Sequence, residues 1–282
     1  MFLEILKAVF IGIVQGITEW LPVSSTGHMI LFDRVVTLDA SQEFKDFFLV
    51  AIQLGSILAV LFTFFERLNP FSRKKSDAER KRTLSLWGRV IVGCIPAGVA
   101  GVLLDDFLEG LFYSGSLAPL IIAGALILYG VFFILIERRG RGCTMRVEST
   151  AALSYRDALL IGLFQILSLI PGTSRSGSTI LGACLLGVGR TAAAEFSFFM
   201  ALPVMAGASL LKGYKFFASG VGISGTEIAI LLVGIAVAFA LSLFAIRFLL
   251  DFVKRHSFEA FGWYRIALGA VVLILFACGI LK

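Results

Sequence analysis

The stretch GIVQGITEWLPVSSTGH (residues 12–28) starts as an apolar helix and is then broken by Glu19, Pro22, three hydroxyls and His28. It has an echo in GLFQILSLIPGTSRSGST (residues 162–179). Each copy runs from a glycine to a glutamine three residues on, then through an apolar stretch and a proline to a Ser/Thr/Gly loop. A phenylalanine-rich run follows each: FKDFFLVAIQLGSILAV (44–60) and EFSFFMALPVMAGASLL (195–211). A helix that breaks twice, in matching ways, sets the expected fold.

The chain around these stretches is 58% hydrophobic and 16% charged over 282 residues, with mean hydropathy +0.94. Soluble domains are nearer 45–50% apolar and about 25% charged. An all-α integral membrane protein is therefore expected, and the absence of strand alternation argues against a β-barrel. Six runs reach the roughly 20 residues a spanning helix needs: about 47–65, 86–107, 117–136, 190–212, 226–250 and 260–281. The two broken segments, about 3–33 and 155–187, stand apart. Glu4, Gln15 and Glu19 are out of place in a signal peptide. Cys94, Cys143, Cys184 and Cys278 form no CxxC pair, so neither a disulfide framework nor a zinc site follows.

The net charge of +6 falls between apolar runs, where it orients helices rather than binding nucleic acid. Loop 66–89 carries Arg67, Arg73, Lys74, Lys75, Arg80, Lys81, Arg82 and Arg89. Loop 137–157 carries Arg138, Arg139, Arg141, Arg146 and Arg156, and loop 251–259 adds Lys254 and Arg255. The 105–116 connection is acidic, with Asp105, Asp106 and Glu109. The basic loops belong in the cytoplasm and the acidic one outside. Residues 157 and 190 then share a side, so 155–187 must enter and return as a re-entrant hairpin. Segment 3–33 mirrors it from the other side. The expected architecture is one polytopic domain (1–282) of six spans and two re-entrant helical hairpins. It is an inverted-topology repeat with halves near 1–110 and 150–250, and its site lies where the broken helices meet.

Gln15 and Glu19, four apart, share a helix face. Pro22 ends that helix by Leu21, and Ser24, Ser25, Thr26 and Gly27 form a turn that caps a second helix near His28. Free N–H groups at such a start bind anions. In the second hairpin Ser174, Ser176 and Thr179 flank Arg175, whose planar fork of donors matches phosphate oxygens. Charge at mid-membrane is costly. Glu19 and Arg175 are therefore either a structural ion pair or a site for a phosphorylated ligand, and the second reading also accounts for the hydroxyls, the glycines and His28. The loop is not a Walker A sequence.

QGITEWLPVSSTGH and PGTSRSGST resemble the two signature motifs of the bacterial undecaprenyl-diphosphate phosphatases of the bacitracin-resistance type. The resemblance extends through IQLGSILAV (52–60) and EFSFFMALP (195–203). It implies hydrolysis of a polyprenyl diphosphate to the monophosphate in the bacterial plasma membrane, with a site open to the outer face. It also implies that Glu19, Ser25, His28 and Arg175 are functional residues. Gln15 stands at the motif's first acidic position, which leaves Glu19 as its one carboxylate. A divalent cation, Mg²⁺ or Ca²⁺, bridging Glu19 and the phosphates is expected. Ser25, His28 or a water is the candidate nucleophile, with Ser25 attacking and His28 carrying the proton as the favoured route.

Gln53 and Gln165 either line the cavity or join helices by hydrogen bonds. Glu195 either orients Arg175 or caps its own helix. His256 belongs to a basic, solvated loop. Trp20, Trp87 and Trp263 are read as packing or lipid-facing residues. Membrane lipids are expected partners, and a homodimer is left open. The alternative function is a transporter or flippase for a phosphorylated lipid, since paired broken helices also serve carriers.

Overall fold

The computed structural model describes residues 1–32, 36–112, 117–140 and 144–281, and all its regular elements are helical. Six helices are long and apolar enough to cross a membrane, which makes the chain a multi-pass membrane protein. They are α3 (Gln42–Thr63), α5 (Asp77–Phe112), α6 (Ala118–Arg139), α9 (Arg190–Ala218), α10 (Gly225–Arg255) and α11 (Glu259–Ala277). The two remaining segments are broken as expected: α1 (Phe2–Thr18) is followed by α2 (Ser25–Phe32), and α7 (Tyr155–Ile166) by α8 (Arg175–Leu185). A short helix, α4 (Phe65–Leu68), follows α3. α5 runs on to Phe112, so 105–112 is helix rather than the expected connection. The rest of that connection, 113–116, lies outside the described residues, as do Arg141 and Cys143. Cys94, Cys184 and Cys278 are free thiols.

Local chemistry sets the helix ends. Ser41 accepts the N–H of Phe44, and Ser154 and Ser224 form reciprocal capping boxes with Asp157 and Glu227. Close backbone approach sets the packing. A Cβ on Gly12 of α1 would lie 2.9 Å from the Gly234 carbonyl oxygen of α10. A Cβ on Gly162 of α7 would collide with the Gly93 carbonyl of α5. Matched glycines thus seat each broken segment on a different long helix, since only a residue without a side chain permits such contact. The α3–α9 and α6–α11 contacts complete the bundle.

The basic end of the molecule is built, not merely charged. Arg89 donates to the carbonyls of Thr150, Ala151 and Leu153 at 3.0, 2.8 and 2.7 Å. Arg190 pairs with Glu137 at 2.5 Å, and Glu137 also accepts the N–H of Phe258 at 3.0 Å. Arg138 pairs with Glu259 at 2.8 Å. Arg146 pairs with Asp157 near the start of α7 at 2.5 Å and donates to the Leu186 carbonyl just past α8 at 3.1 Å. One side chain therefore holds both ends of the α7–α8 pair together. At the opposite end, Glu4 of α1 accepts the N–H of Asp39, beyond α2, at 2.9 Å.

Candidate active site

Each break ends on a serine in the left-handed region, Ser24 at φ 72° and Ser174 at φ 71°. A side chain there costs about 1–2 kcal/mol, and such strain clusters at functional sites. Each serine hydroxyl then accepts the N–H of a glycine three residues on, Gly27 and Gly177, at 3.2 Å. Both helices start immediately after these serines, so Ser25 opens α2 and Arg175 opens α8. The two residues that differ most in chemistry occupy the same place in the two copies.

Across the gap between the turns, Arg175 Nη2 meets Glu19 Oε1 at 3.1 Å, with the two side chains 10% and 9% exposed. Glu19 Oε2 accepts from Gln15 Nε2 at 3.0 Å and from Ser25 Oγ at 3.3 Å. Arg175 Nη1 donates to the Ser197 carbonyl at 3.0 Å, and the guanidinium sits 5.7 Å from the centre of the buried Trp20 ring. Arg175 Nε and Trp20 Nε1 are buried without a partner among the described residues. One acid, one guanidinium and one hydroxyl thus converge on a small buried volume between two helix starts. Helix starts carry N–H groups without intrahelical acceptors and a positive dipole end.

Most of the expected phosphate-binding hydroxyls have structural work. Ser24 and Ser174 cap their helices, Ser176 Oγ reaches the carbonyls of Glu19 and Leu21 at 3.2 and 3.3 Å, and Thr179 Oγ1 bonds Ser197 Oγ at 2.7 Å. Thr26 is exposed beside Ser25, and Gly27 packs against Leu126. His28 has no hydrogen bond to Ser25 among the described residues. Its Nδ1 faces the Ser24 carbonyl at 2.7 Å and its Nε2 faces Tyr264 Oη at 2.7 Å, with the rings stacked 5.7 Å apart. A carbonyl opposite Nδ1 fixes the proton there, so His28 holds the turn, and the carboxylate at hydrogen-bond distance from Ser25 is that of Glu19.

Glu195 pairs neither with Arg175 nor with the start of α9: its partner is Arg67 of α4, far away in sequence, at 2.8 Å. Gln165 is fully buried and its amide has no partner among the described residues, and Gln53 is half-buried. His256 is exposed and stacks on Phe252.

Sequence reasoning missed Arg265. It is completely buried in α11 and donates from Nη1 to the Pro22 carbonyl at 3.2 Å. From Nη2 it donates to the carbonyls of Gly172 and Thr173 at 2.8 and 3.0 Å, over the ring of Tyr129. One guanidinium therefore ties both turns. The signal was present, because Arg265 is a lone cation inside the 260–281 apolar run.

An apolar groove of about 930 Å³ runs from Ile170 and Thr173, beside the second turn, between α6 and the α7–α8 pair to Arg139. It passes Gly124, Leu128, Phe132 and Leu181.

Residues 8–271 match the family described as bacitracin resistance protein BacA. The chain is 52% identical to an undecaprenyl-diphosphatase of Enterococcus faecalis over 278 residues, covering 98% of both chains. It is 52% identical to an undecaprenyl-diphosphatase of Limosilactobacillus fermentum, over 98% of both chains. To undecaprenyl-diphosphatase 1 of Clostridioides difficile it is 53% identical, over 97% of both.

Proposed function

The chain belongs to the bacitracin resistance protein BacA family, and on that premise we propose that it hydrolyses undecaprenyl diphosphate to the monophosphate and inorganic phosphate. The observation that carries the reading is the contact of Ser25, Glu19 and Arg175 between two helix starts. When the diphosphate enters, Arg175 exchanges Glu19 for phosphate oxygens, and the N–H groups opening α2 and α8 take others. Glu19, released from its ion pair, accepts the proton of Ser25. Ser25 Oγ attacks the terminal phosphorus, and the bond to the bridging oxygen breaks, releasing the lipid monophosphate. Glu19 passes the serine proton to the departing bridging oxygen and is again a carboxylate. It then takes a proton from the water that cleaves the phosphoserine and returns it to Ser25 Oγ as inorganic phosphate leaves.

For a divalent cation, Glu19 and the neighbouring Ser25 hydroxyl are hard oxygen donors of the right kind. Among the described residues no three acidic, histidine or cysteine side chains converge, so these two would hold Mg²⁺ or Ca²⁺ only together with the diphosphate oxygens. Such an ion would supply charge neutralisation beside Arg175.

We further propose that the α1–α2 and α7–α8 pairs are re-entrant hairpins of an inverted repeat. The shared Arg146 anchor, the Glu4–Asp39 contact and the matched Gly12–Gly234 and Gly162–Gly93 crossings support this. The basic end then faces the cytoplasm. The site opens outward, because α2 leads from Ser25 toward the opposite end. A carrier reading shares this architecture, but a carrier has no use for a hydroxyl hydrogen-bonded to a buried carboxylate.

The deciding experiment measures phosphate release from undecaprenyl diphosphate in detergent, where transport has no meaning. Ser25→Ala is expected to lose about 10³-fold in kcat, and rapid quench of the wild type to trap phosphate on Ser25. Near-full turnover of Ser25→Ala would exclude the serine route.

The groove suits the prenyl chain. A Cβ on Gly124 would meet nothing within 4 Å, so a larger side chain there fills the groove without straining the helix. Gly124→Phe is expected to lower kcat/KM for undecaprenyl diphosphate by about tenfold, equivalent to 1.4 kcal/mol, while farnesyl diphosphate is cleaved as before. Equal losses on both substrates would place the long chain elsewhere.

A further inference from the structure

The outer face of α10 carries an aromatic ladder that the reaction does not use. Phe244, Phe248, Phe252 and His256 recur every fourth residue, their ring centres 6.2, 5.8 and 4.6 Å apart in succession. Arg247, Asp251 and Arg255 run along the same strip, and the seven residues line a shallow depression of about 680 Å³. Asp251 is already paired with Lys254 at 2.9 Å. Neither Arg247 nor Arg255 has an ion-pair or hydrogen-bond partner among the described residues, and Arg247 passes over Asp251 one turn away. The strip thus holds two uncompensated guanidinium groups beside exposed rings.

Depth makes Arg247 unusual. At 1.5 Å of rise per residue it lies about 12 Å from Arg255 along the axis, toward the hydrocarbon. A helical side chain leans toward its own N-terminus, which for α10 points away from the basic end and its water. Extension toward that end therefore works against the natural direction of the side chain. A guanidinium so placed is best satisfied by an anion that comes to it, and its planar fork matches phosphate oxygens.

We propose that this strip binds the phosphate of an anionic phospholipid in the leaflet at the basic end. Arg247 grips the phosphate and Arg255 lies over the headgroup above it, while Phe244 and Phe248 lie along the glycerol and upper acyl carbons. Charge argues for a lipid over a second copy of the chain. In a membrane a two-fold axis lies along the bilayer normal, so each residue of an isologous interface meets residues at its own depth. Arg247 would then face Arg247 and Arg255 face Arg255, with no acid free to separate them.

Native mass spectrometry of the full-length protein in detergent tests this, with dioleoyl phosphatidylglycerol titrated against dioleoyl phosphatidylcholine. One phosphatidylglycerol is expected to remain bound per chain, held at least tenfold more tightly than phosphatidylcholine. Arg247→Gln with Arg255→Gln is expected to abolish that preference while phosphate release in detergent stays unchanged, which shows that the variant folds. Arg247→Lys is expected to keep part of the preference. Equal retention of the two lipids, or phosphatidylglycerol held unchanged by the double variant, would overturn the site. So would displacement of the lipid by an equal concentration of glycerol 3-phosphate, which would mark a site for soluble phosphate. A dimer that only the double variant loses would assign the strip to a second copy instead.

Discussion

Arg175→Lys is expected to lower kcat/KM for undecaprenyl diphosphate by about 10³-fold, a loss of roughly 4 kcal/mol of transition-state stabilisation, and to melt within a few degrees of wild type. The separation of the two effects follows from what the guanidinium does. It holds Glu19 through Nη2 and the Ser197 carbonyl through Nη1 at once. Lysine keeps the charge that neutralises Glu19, so the fold survives. It is a point donor, however, and cannot keep the Ser197 anchor while offering paired N–H groups to phosphate. Alanine is a poorer test. It leaves Glu19 buried without a counter-charge, a defect of about 3–5 kcal/mol, and lost activity then has two causes. Combining Arg175→Met with Glu19→Gln removes both charges. That double variant is expected to regain most of the melting temperature lost by Arg175→Ala and to stay inactive. Phosphate-release kinetics alongside thermal unfolding in detergent check all three. An Arg175→Lys enzyme within tenfold of wild type would remove Arg175 from the chemistry.

What could be read from the sequence and what could not divide along a physical line. Apolar run length found all six spans, because a bilayer imposes length directly, but not their ends: α5 begins nine residues before the expected 86 and α9 runs six past the expected 212. The Pro, Gly and Ser breaks were visible because they act on the backbone next to them, while the pairing of Ser24 with Ser174 and of Gly27 with Gly177 came from the backbone angles and caps of the structure. Gln15 beside Glu19 was also legible, being a contact across one helical turn. Glu19 with Arg175 was inferred from cost, since two lone charges at membrane depth seek each other. Contacts that depend on how helices far apart in sequence cross were not legible. Glu195 found Arg67. His28 turned to Tyr264, in the last helix, rather than to its neighbour Ser25. The hydroxyls of Ser24, Ser174 and Thr179 were read as ligands to an anion because the same residue types bind phosphate and cap helices; that Ser24 and Ser174 cap α2 and α8 and that Thr179 meets Ser197 depended on the folded backbone.

Arg265 was the costliest omission, and its replacement is expected to have the largest effect on the fold. Its guanidinium satisfies the carbonyls of Pro22, Gly172 and Thr173, one from the first turn and two from the second. Arg265→Met fills similar volume but leaves these acceptors buried and unpaired, each at a cost of about 1–3 kcal/mol. The expected result is a melting temperature lower by roughly 10 °C or more, at 2–4 °C per kcal/mol for a chain of this size. A merely structural role predicts that whatever protein remains folded at low temperature works normally. Arg265 as a positioning residue predicts otherwise. The two turns set the spacing of Ser25 and Arg175, and a shift of about 1 Å in such a spacing can cost 10²-fold in rate. Measured well below its melting temperature, Arg265→Met is therefore expected to lose about 10²-fold in kcat with little change in KM, because the groove beside α6 still takes the prenyl chain. Arg265→Lys, able to hold one turn but not both, is expected to recover stability before it recovers kcat. A folded Arg265→Met enzyme with wild-type kcat would show that the two turns keep their spacing without it.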